Sequence, residues 1–149
     1  MVTRRHFLAG AAVTAAAVAS TSAKSYARIM GANGRVNFAV IGVHSRGYAH
    51  LAALYANKDN AQIVAVADVD SRYLDKFCSD ATAKMGMAPK GKKDFRKVLA
   101  NKDVDAITIA TPDHWHAPMG ILGMQAGKHV YVEKPCAYNP QEGVWLVET

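Results

Sequence analysis

Cysteine is scarce: Cys78 and Cys136 are the only two in 149 residues, and neither sits in a Cys-x-x-Cys pair. A disulfide-stapled scaffold and a Cys-rich zinc module are thereby excluded, and the spacing calls for no disulfide even where export would permit one. Proline numbers five and aromatic residues make up 8%, so neither a collagen-like nor a Pro-rich chain is in view. No uninterrupted apolar run approaches the ~20 residues that span a bilayer. Acid is missing from residues 1–28, which hold Arg4, Arg5, Lys24 and Arg28. Most of the net charge of +6 lies there, and residues 29–149 set 14 basic against 12 acidic groups. A body so close to neutral lacks the basic footprint of a nucleic-acid binder. The Lys90, Lys92, Lys93, Arg96, Lys97 cluster, broken by Asp94, reads as a solvated loop and helix face. A nucleophile elbow, a Walker lysine and an EF-hand loop are all missing.

What is present begins with a leader. Arg4-Arg5 is followed by Phe7-Leu8 and an Ala-rich stretch to Ala19, with no charged residue until Lys24. A positive start, a short weakly apolar core and small residues near its end make a secretory signal of the twin-arginine type. Two sites fit small-x-small cleavage, Ala17-Val18-Ala19 and Ser25-Tyr26-Ala27, of which the second is favoured. The expected organisation is a signal peptide over 1–27, a linker over 28–34 and a folded domain over 35–149. It implies a periplasmic or other extracytoplasmic location, with the export machinery as partner and membrane contact only during export.

The body alternates strand and helix patterns. Val36–Ile41 and Ile63–Ala67 are short apolar runs suited to buried parallel strands, as are Ala106–Ala110 and His129–Val132. Between them, Gly47–Ala56 carries Leu51 and Leu54 on one face, and Asp70 or Ser71 caps a helix bearing Leu74, Phe77 and Cys78. A Lys/Gly loop follows, then a short helix capped by Asp94. Pro118–Ala126 reads as a helix with Gly127 beyond its end, and Asn139-Pro140-Gln141-Glu142 starts the last one. Such alternation implies parallel strands joined by right-handed crossovers, a doubly wound Rossmann-type α/β sheet. The chain stops at Thr149 inside that last helix, which reads as truncation before a second domain; Val144, Leu146 and Val147 are then an uncovered apolar face.

Four places can carry chemistry, all at carboxyl ends of strands, where open parallel sheets bind ligands. Gly42-Val43-His44-Ser45-Arg46-Gly47 has the first and last glycines of the dinucleotide fingerprint, with His44 at the middle position. The first permits a tight turn, the last permits close helix packing, and the helix N-terminus offers N–H groups to a diphosphate. Asp68 ends the second strand 21 residues after Gly47, where an acid takes ribose hydroxyls and repels a 2′-phosphate. NAD is therefore favoured, while Arg72 keeps NADP as the alternative. Thr111-Pro112-Asp113-His114-Trp115-His116 follows the third apolar run. Its His-x-His lacks further ligands for a metal, so contact with cofactor or substrate competes with plain backbone hydrogen bonding. Glu133-Lys134-Pro135 closes the last strand. Lys134 can donate to a substrate hydroxyl and shuttle its proton, and Glu133 can orient it; the bland reading is a surface ion pair.

Several motifs coincide: Gly42-x-x-x-Arg46-Gly47, Asp68-Val-Asp-Ser-Arg72, Asp94-Phe95-Arg96, Ala110-Thr-Pro-Asp-His-Trp-His116, and Ala126-Gly-Lys-His-Val-Tyr-Val-Glu-Lys-Pro135. Together they resemble the N-terminal NAD(P)-binding domain of the Gfo/Idh/MocA oxidoreductases over residues 34–149, and most resemble its secreted twin-arginine branch. Some members of that branch act on sugars and some are NAD-dependent glycosidases. The resemblance implies that Gly42, Val43, His44, Ser45, Arg46 and Gly47 hold the pyrophosphate and that Asp68 and Arg72 face the adenosine. Thr111, Pro112, Trp115 and His116 would lie along the nicotinamide half. Glu133 and Lys134 would flank the nicotinamide and the substrate carbinol, with Lys134 catalytic. His44 departs from the usual glycine. Hydride transfer on a sugar, polyol or glycoside is the function implied; transient oxidation in a glycosidase, or a non-catalytic nucleotide-binding module, are the alternatives. The full-length protein can be a homo-oligomer. Leader and cofactor together imply NAD loaded before export and returned to its starting oxidation state in each cycle.

Overall fold

The structure, a computed structural model, describes residues 34–149. The twin-arginine segment, both cleavage sites and nearly all of the linker lie outside the described residues. Arg35–Thr149 forms one compact unit. Its elements are β1 (Val36–Ile41), α1 (Gly47–Ala56), β2 (Ala61–Ala67), α2 (Ser71–Met85), β3 (Lys90–Lys92), α3 (Arg96–Leu99), β4 (Ala106–Ile109), α4 (His116–Gln125), β5 (His129–Val132) and α5 (Pro140–Glu148). All strand pairs are parallel, in the order β3-β2-β1-β4-β5. Sequential crossovers run one way from β1 to β3 and then reverse to β4, so the topological switch lies between β1 and β4.

Both sheet faces are buried, which is why the strands read as continuous apolar runs. Ala39, Ile41, Ile107 and Ile109 face Phe95, Val98, Leu99 and Met119, from α3, α4 and the residue before α3. Val40, Ile63 and Val66 face Leu51, Leu54, Leu74 and Phe77, from α1 and α2. Ile63 and Val66 share a face despite odd spacing because β2 carries an extra residue: Phe38 pairs with Ile63 and Ala39 with Ala65, so Val64 bulges.

Asp70 is the cap of α2, accepting from the Arg72 amide at 2.9 Å. The Asp94 carboxylate accepts from the Arg96 amide at 3.0 Å, ahead of α3. Asn139 caps α5 by accepting from the Glu142 amide, and Glu142 reaches back to the amide of Tyr138, one residue beyond the ordinary capping box.

Some boundaries differ from the sequence reading. The second strand starts at Ala61, and the fourth ends at Ile109, one residue before Ala110. The Lys/Gly loop contains β3, an exposed edge strand paired with Ala65–Ala67. α4 starts not at Pro118 but at His116, after a 3₁₀ turn over Asp113–Trp115, which puts Pro118 third in its helix, where its amide is still one of the unpaired first four. Leu146 packs toward Gly120 of α4 and is partly covered, whereas Val144, Trp145 and Val147 are exposed. Among the described residues no helix is long and apolar enough to cross a membrane.

Candidate functional site

Each strand continues its pairing by one residue at the carboxyl edge, and these are the residues that carry the motifs. The amides of Gly42, Asp68, Ala110 and Glu133 donate to the carbonyls of Ala67, Lys92, Ile41 and Ile109 at 2.8–3.2 Å. Four loops therefore leave the sheet side by side.

Gly42 has φ +83°, and a Cβ there would lie 2.7 Å from the Ala110 carbonyl carbon and the Thr111 nitrogen. The turn after β1 thus rests directly on the backbone after β4, a close approach only glycine allows. A Cβ on Gly47 would collide with the Gly42 carbonyl oxygen, so the second glycine lets α1 start against the turn. No side chain caps α1 and its first turn holds no acid, which leaves its positive end open. His44 needs no left-handed backbone, and its ring packs on Tyr73 of α2 with centroids 4.1 Å apart.

Asp68 is tied into this turn. One carboxylate oxygen accepts from the Val43 amide and the other from the Asp70 amide, each at 2.9 Å. Each oxygen keeps a second acceptor position. Arg72 lies elsewhere: its guanidinium is bound to Asp70 at 2.6 Å and is largely exposed, so it does not line the crevice. That ion pair holds Asp70 down at about 2.

The loop after β4 splits its two histidines. His114 is exposed at the crevice, whereas His116 is buried with its ring nitrogens 2.6 Å from the Pro135 carbonyl and 2.8 Å from the Thr111 carbonyl. His116 therefore clasps the β4 and β5 loops together, the backbone-satisfying role among the two left open for it. Among the described residues no three His, Cys, Asp or Glu gather as a metal site, and Cys78 and Cys136 are free thiols.

Glu133 and Lys134 part company. Glu133 is buried, and its Oε1 accepts from Arg46 Nε at 2.8 Å and meets His50 Nε2 at 2.9 Å. His50 and then Arg46 hold its carboxyl at about 2, below the usual 4.5. Glu133 thus neither orients Lys134 nor forms a surface pair with it; Lys134 is exposed in the bend that follows the strand.

A crevice of about 460 Å³ opens at the switch between β1 and β4. Gly42, Val43, His44, Asp68, Thr111, Pro112 and Trp115 line it; Ser45, Arg46, Gly47, Arg72, His116, Glu133 and Lys134 do not. Lys93, Asp94, Phe95 and Arg96 form a wall that sequence reading had assigned to a solvated face. The signal that would have found them is β3 itself, since whatever follows a parallel strand lies on the same edge. The hydroxyl of Thr111 is buried at this crevice without a partner.

A family model described as "Oxidoreductase family, NAD-binding Rossmann fold" (GFO_IDH_MocA) matches residues 36–149. A "Glycosyl hydrolase family 109 protein" of Shewanella putrefaciens is 32% identical over 168 aligned residues, covering 98% of this chain and 36% of that protein. Among solved structures, the WlbA dehydrogenase of Chromobacterium violaceum, in complex with NADH and UDP-GlcNAcA, has a TM-score of 0.68 at 29% identity. That match covers 77% of this chain and 32% of the other. Levoglucosan dehydrogenase, in complex with NADH and L-sorbose, has a TM-score of 0.64 at 26% identity, covering 76% and 31%. The chain spans about a quarter to a third of the length of the curated relatives it matches. A doubly wound sheet, a glycine turn resting on its switch point and an acid at the end of β2 agree with that match, and the chain belongs to the Gfo/Idh/MocA oxidoreductase family through its NAD-binding Rossmann domain.

Proposed function

We propose that the whole protein is a nicotinamide-dependent oxidoreductase acting at a carbinol carbon of a sugar, polyol or glycoside, with Lys134 as its proton-handling residue. The observation that carries this reading is the crevice at the switch point, bounded by the Gly42 turn, Asp68 and Thr111, with Lys134 on the neighbouring loop. NAD fits these residues. The uncapped N-terminus of α1 suits a diphosphate, the open acceptor positions of Asp68 suit ribose hydroxyls, and the Thr111 hydroxyl beside the crevice has no partner in the protein. The crevice volume is that of a cofactor site.

A bound nicotinamide supplies the hydride acceptor or donor. Everything else falls to the chain. The turn from Gly42 to His44, which lines the crevice, and the uncapped start of α1 receive the diphosphate, and Asp68 orients the adenosine ribose and disfavours a 2′-phosphate. Trp115 and Pro112 exclude water from the β4 side. Lys134 accepts the proton of the substrate hydroxyl as the carbinol carbon gives up its hydride, and returns that proton in the reverse direction. A sugar-like substrate is supported by the UDP-GlcNAcA and L-sorbose in the two dehydrogenase complexes.

The similarity to a glycosyl hydrolase family 109 protein favours a second reading, in which oxidation is transient and assists cleavage of a glycoside. Arg4-Arg5, the Ala-rich stretch to Ala19 and the small residues near its end carry the reading of twin-arginine export to the periplasm, with the cofactor loaded beforehand.

The test uses full-length protein purified from the periplasm. Bound nucleotide by absorbance and mass, with NADH accumulating on sugars or polyols, supports oxidation. Aryl glycoside cleavage without NADH accumulation selects the second reading. Protein that is empty and binds NAD only weakly overturns both, and a Lys134→Ala protein of undiminished activity removes Lys134 from its role.

A further inference from the structure

Glu133 joins two parts of the crevice that are distant in sequence. Its amide pairs with Ile109, so the residue is fixed to the end of β4, and its side chain crosses to α1. There one oxygen takes both Arg46 Nε and His50 Nε2, across 87 and 83 residues of chain. Tyr131, two residues earlier on the same face of β5, meets the His50 ring edge-on with centroids 5.5 Å apart. Glu133 and His50 are 6% and 7% exposed, whereas the Arg46 side chain is 61% exposed. Arg46 is the residue before α1, at the helix start assigned above to the diphosphate. A carboxylate buried this way is tolerated because it is ionised and doubly paired, and removing one member leaves the other charge unpaired.

We propose that Glu133 is a positioning residue that, through Arg46 and His50, holds the diphosphate-binding turn in register with the loop carrying Lys134. This rests on the cofactor site proposed above. The alternatives are a Glu133 that touches nicotinamide or substrate itself, and one that only supports the fold. An acid held at about 2 has no proton to give at neutral pH, and both its side-chain partners, Arg46 and His50, come from the α1 side.

The test measures NADH binding to full-length protein by nicotinamide fluorescence, with Glu133→Gln, Glu133→Ala, Arg46→Gln and the Glu133→Gln/Arg46→Gln double variant. Gln keeps the acceptor oxygen and loses the charge, so it is expected to weaken binding by about tenfold, with Ala weaker still. Arg46→Gln is expected to lose about as much, and the double variant about tenfold rather than a hundredfold, since both act through one contact. Emission of the bound nicotinamide at saturation is expected to change in the same variants as the ring shifts against the Lys134 loop.

Losses that add in the double variant, or affinity and saturating emission both unchanged in Glu133→Gln, overturn the proposal while leaving the cofactor site in place. A purely structural Glu133 would lower the melting temperature without moving the emission, and that result also overturns it. Wild-type protein that does not bind NADH refutes the cofactor site, and this inference falls with it. If Glu133→Ala does not fold, the Gln variants decide.

Discussion

Replacing Gly42 by Ala separates two costs that a glycine at a strand end can hide. At φ +83° an L-residue loses roughly 1–2 kcal/mol to backbone strain. The added Cβ also falls 2.7–2.8 Å from three backbone atoms, of Ala110 and Thr111. None of these can swing aside as a side-chain tip would. Relief requires the end of β4 to move, and with it the 2.8 Å bond from the Ala110 amide to Ile41. Forced overpacking of that kind costs ~1–3 kcal/mol. Alanine returns ~0.4–1 kcal/mol by restricting the unfolded chain. The balance is about 2–4 kcal/mol, a large part of the ~5–15 kcal/mol that holds an ordinary domain together.

Gly86 supplies the control. It has φ +75° and nothing within 4 Å of a built Cβ, so Gly86→Ala carries the strain without the collision. Its expected cost is about 0.5–1 kcal/mol after the same unfolded-state gain. Urea unfolding, followed by circular dichroism, should show the midpoint of Gly42→Ala falling well below that of Gly86→Ala at similar slope. Only Gly42→Ala should also weaken NAD binding, because only it displaces the crevice wall. Equal midpoints for the two variants would refute the argument that the β1 turn rests on the β4 backbone.

The Glu133 carboxyl makes stability pH-dependent. Its pKa falls from 4.5 to about 2 on folding, so the stabilisation is fully present above pH 4.5 and is lost as pH drops toward 2. The difference in unfolding free energy between wild type and Glu133→Gln, on the order of 3 kcal/mol near neutral pH and read from urea unfolding, should shrink to nothing across that window; an offset that stays constant contradicts it. For Thr111, whose hydroxyl is buried and unpartnered, Thr111→Val should leave stability equal or higher while lowering NAD affinity severalfold, measured by calorimetry. Unchanged affinity would mean that the hydroxyl faces no ligand.

Four of the five strands were legible as apolar runs, most plainly β4 and the buried parts of β1 and β2, and less so β5, whose residues are exposed or half-buried. β3 was not. Lys90-Gly91-Lys92 carries no apolar pattern and is held by its pairing to β2. Its glycine sits where a Cβ would be 3.3 Å from Leu74 and Cys78 of α2. A strand specified by its neighbours leaves little trace in its own residues. The crevice wall at Lys93–Arg96 was missed for the same reason. The motif glycines, Asp68 and Thr111 were legible because strand ends place them. Partners were less so: His116 could be a ligand-facing or a backbone-bound residue by sequence, and only the approach of the Pro135 loop decides for the second.

The fate of Glu133 and Lys134 shows what strand geometry adds to a motif. Read as a string, an adjacent acid and base suggest an ion pair. Here they part: the side bearing Tyr131 and Glu133 meets α1, where Arg46 and His50 wait, and Lys134 is exposed in the bend after the strand. An acid in the first position and a base in the second therefore divide the work, the first anchoring the edge and the second reaching from it. Exchanging the two would bury an ammonium against an arginine and a histidine and leave a carboxylate at the edge, so the order of the pair follows from the fold as much as from the chemistry.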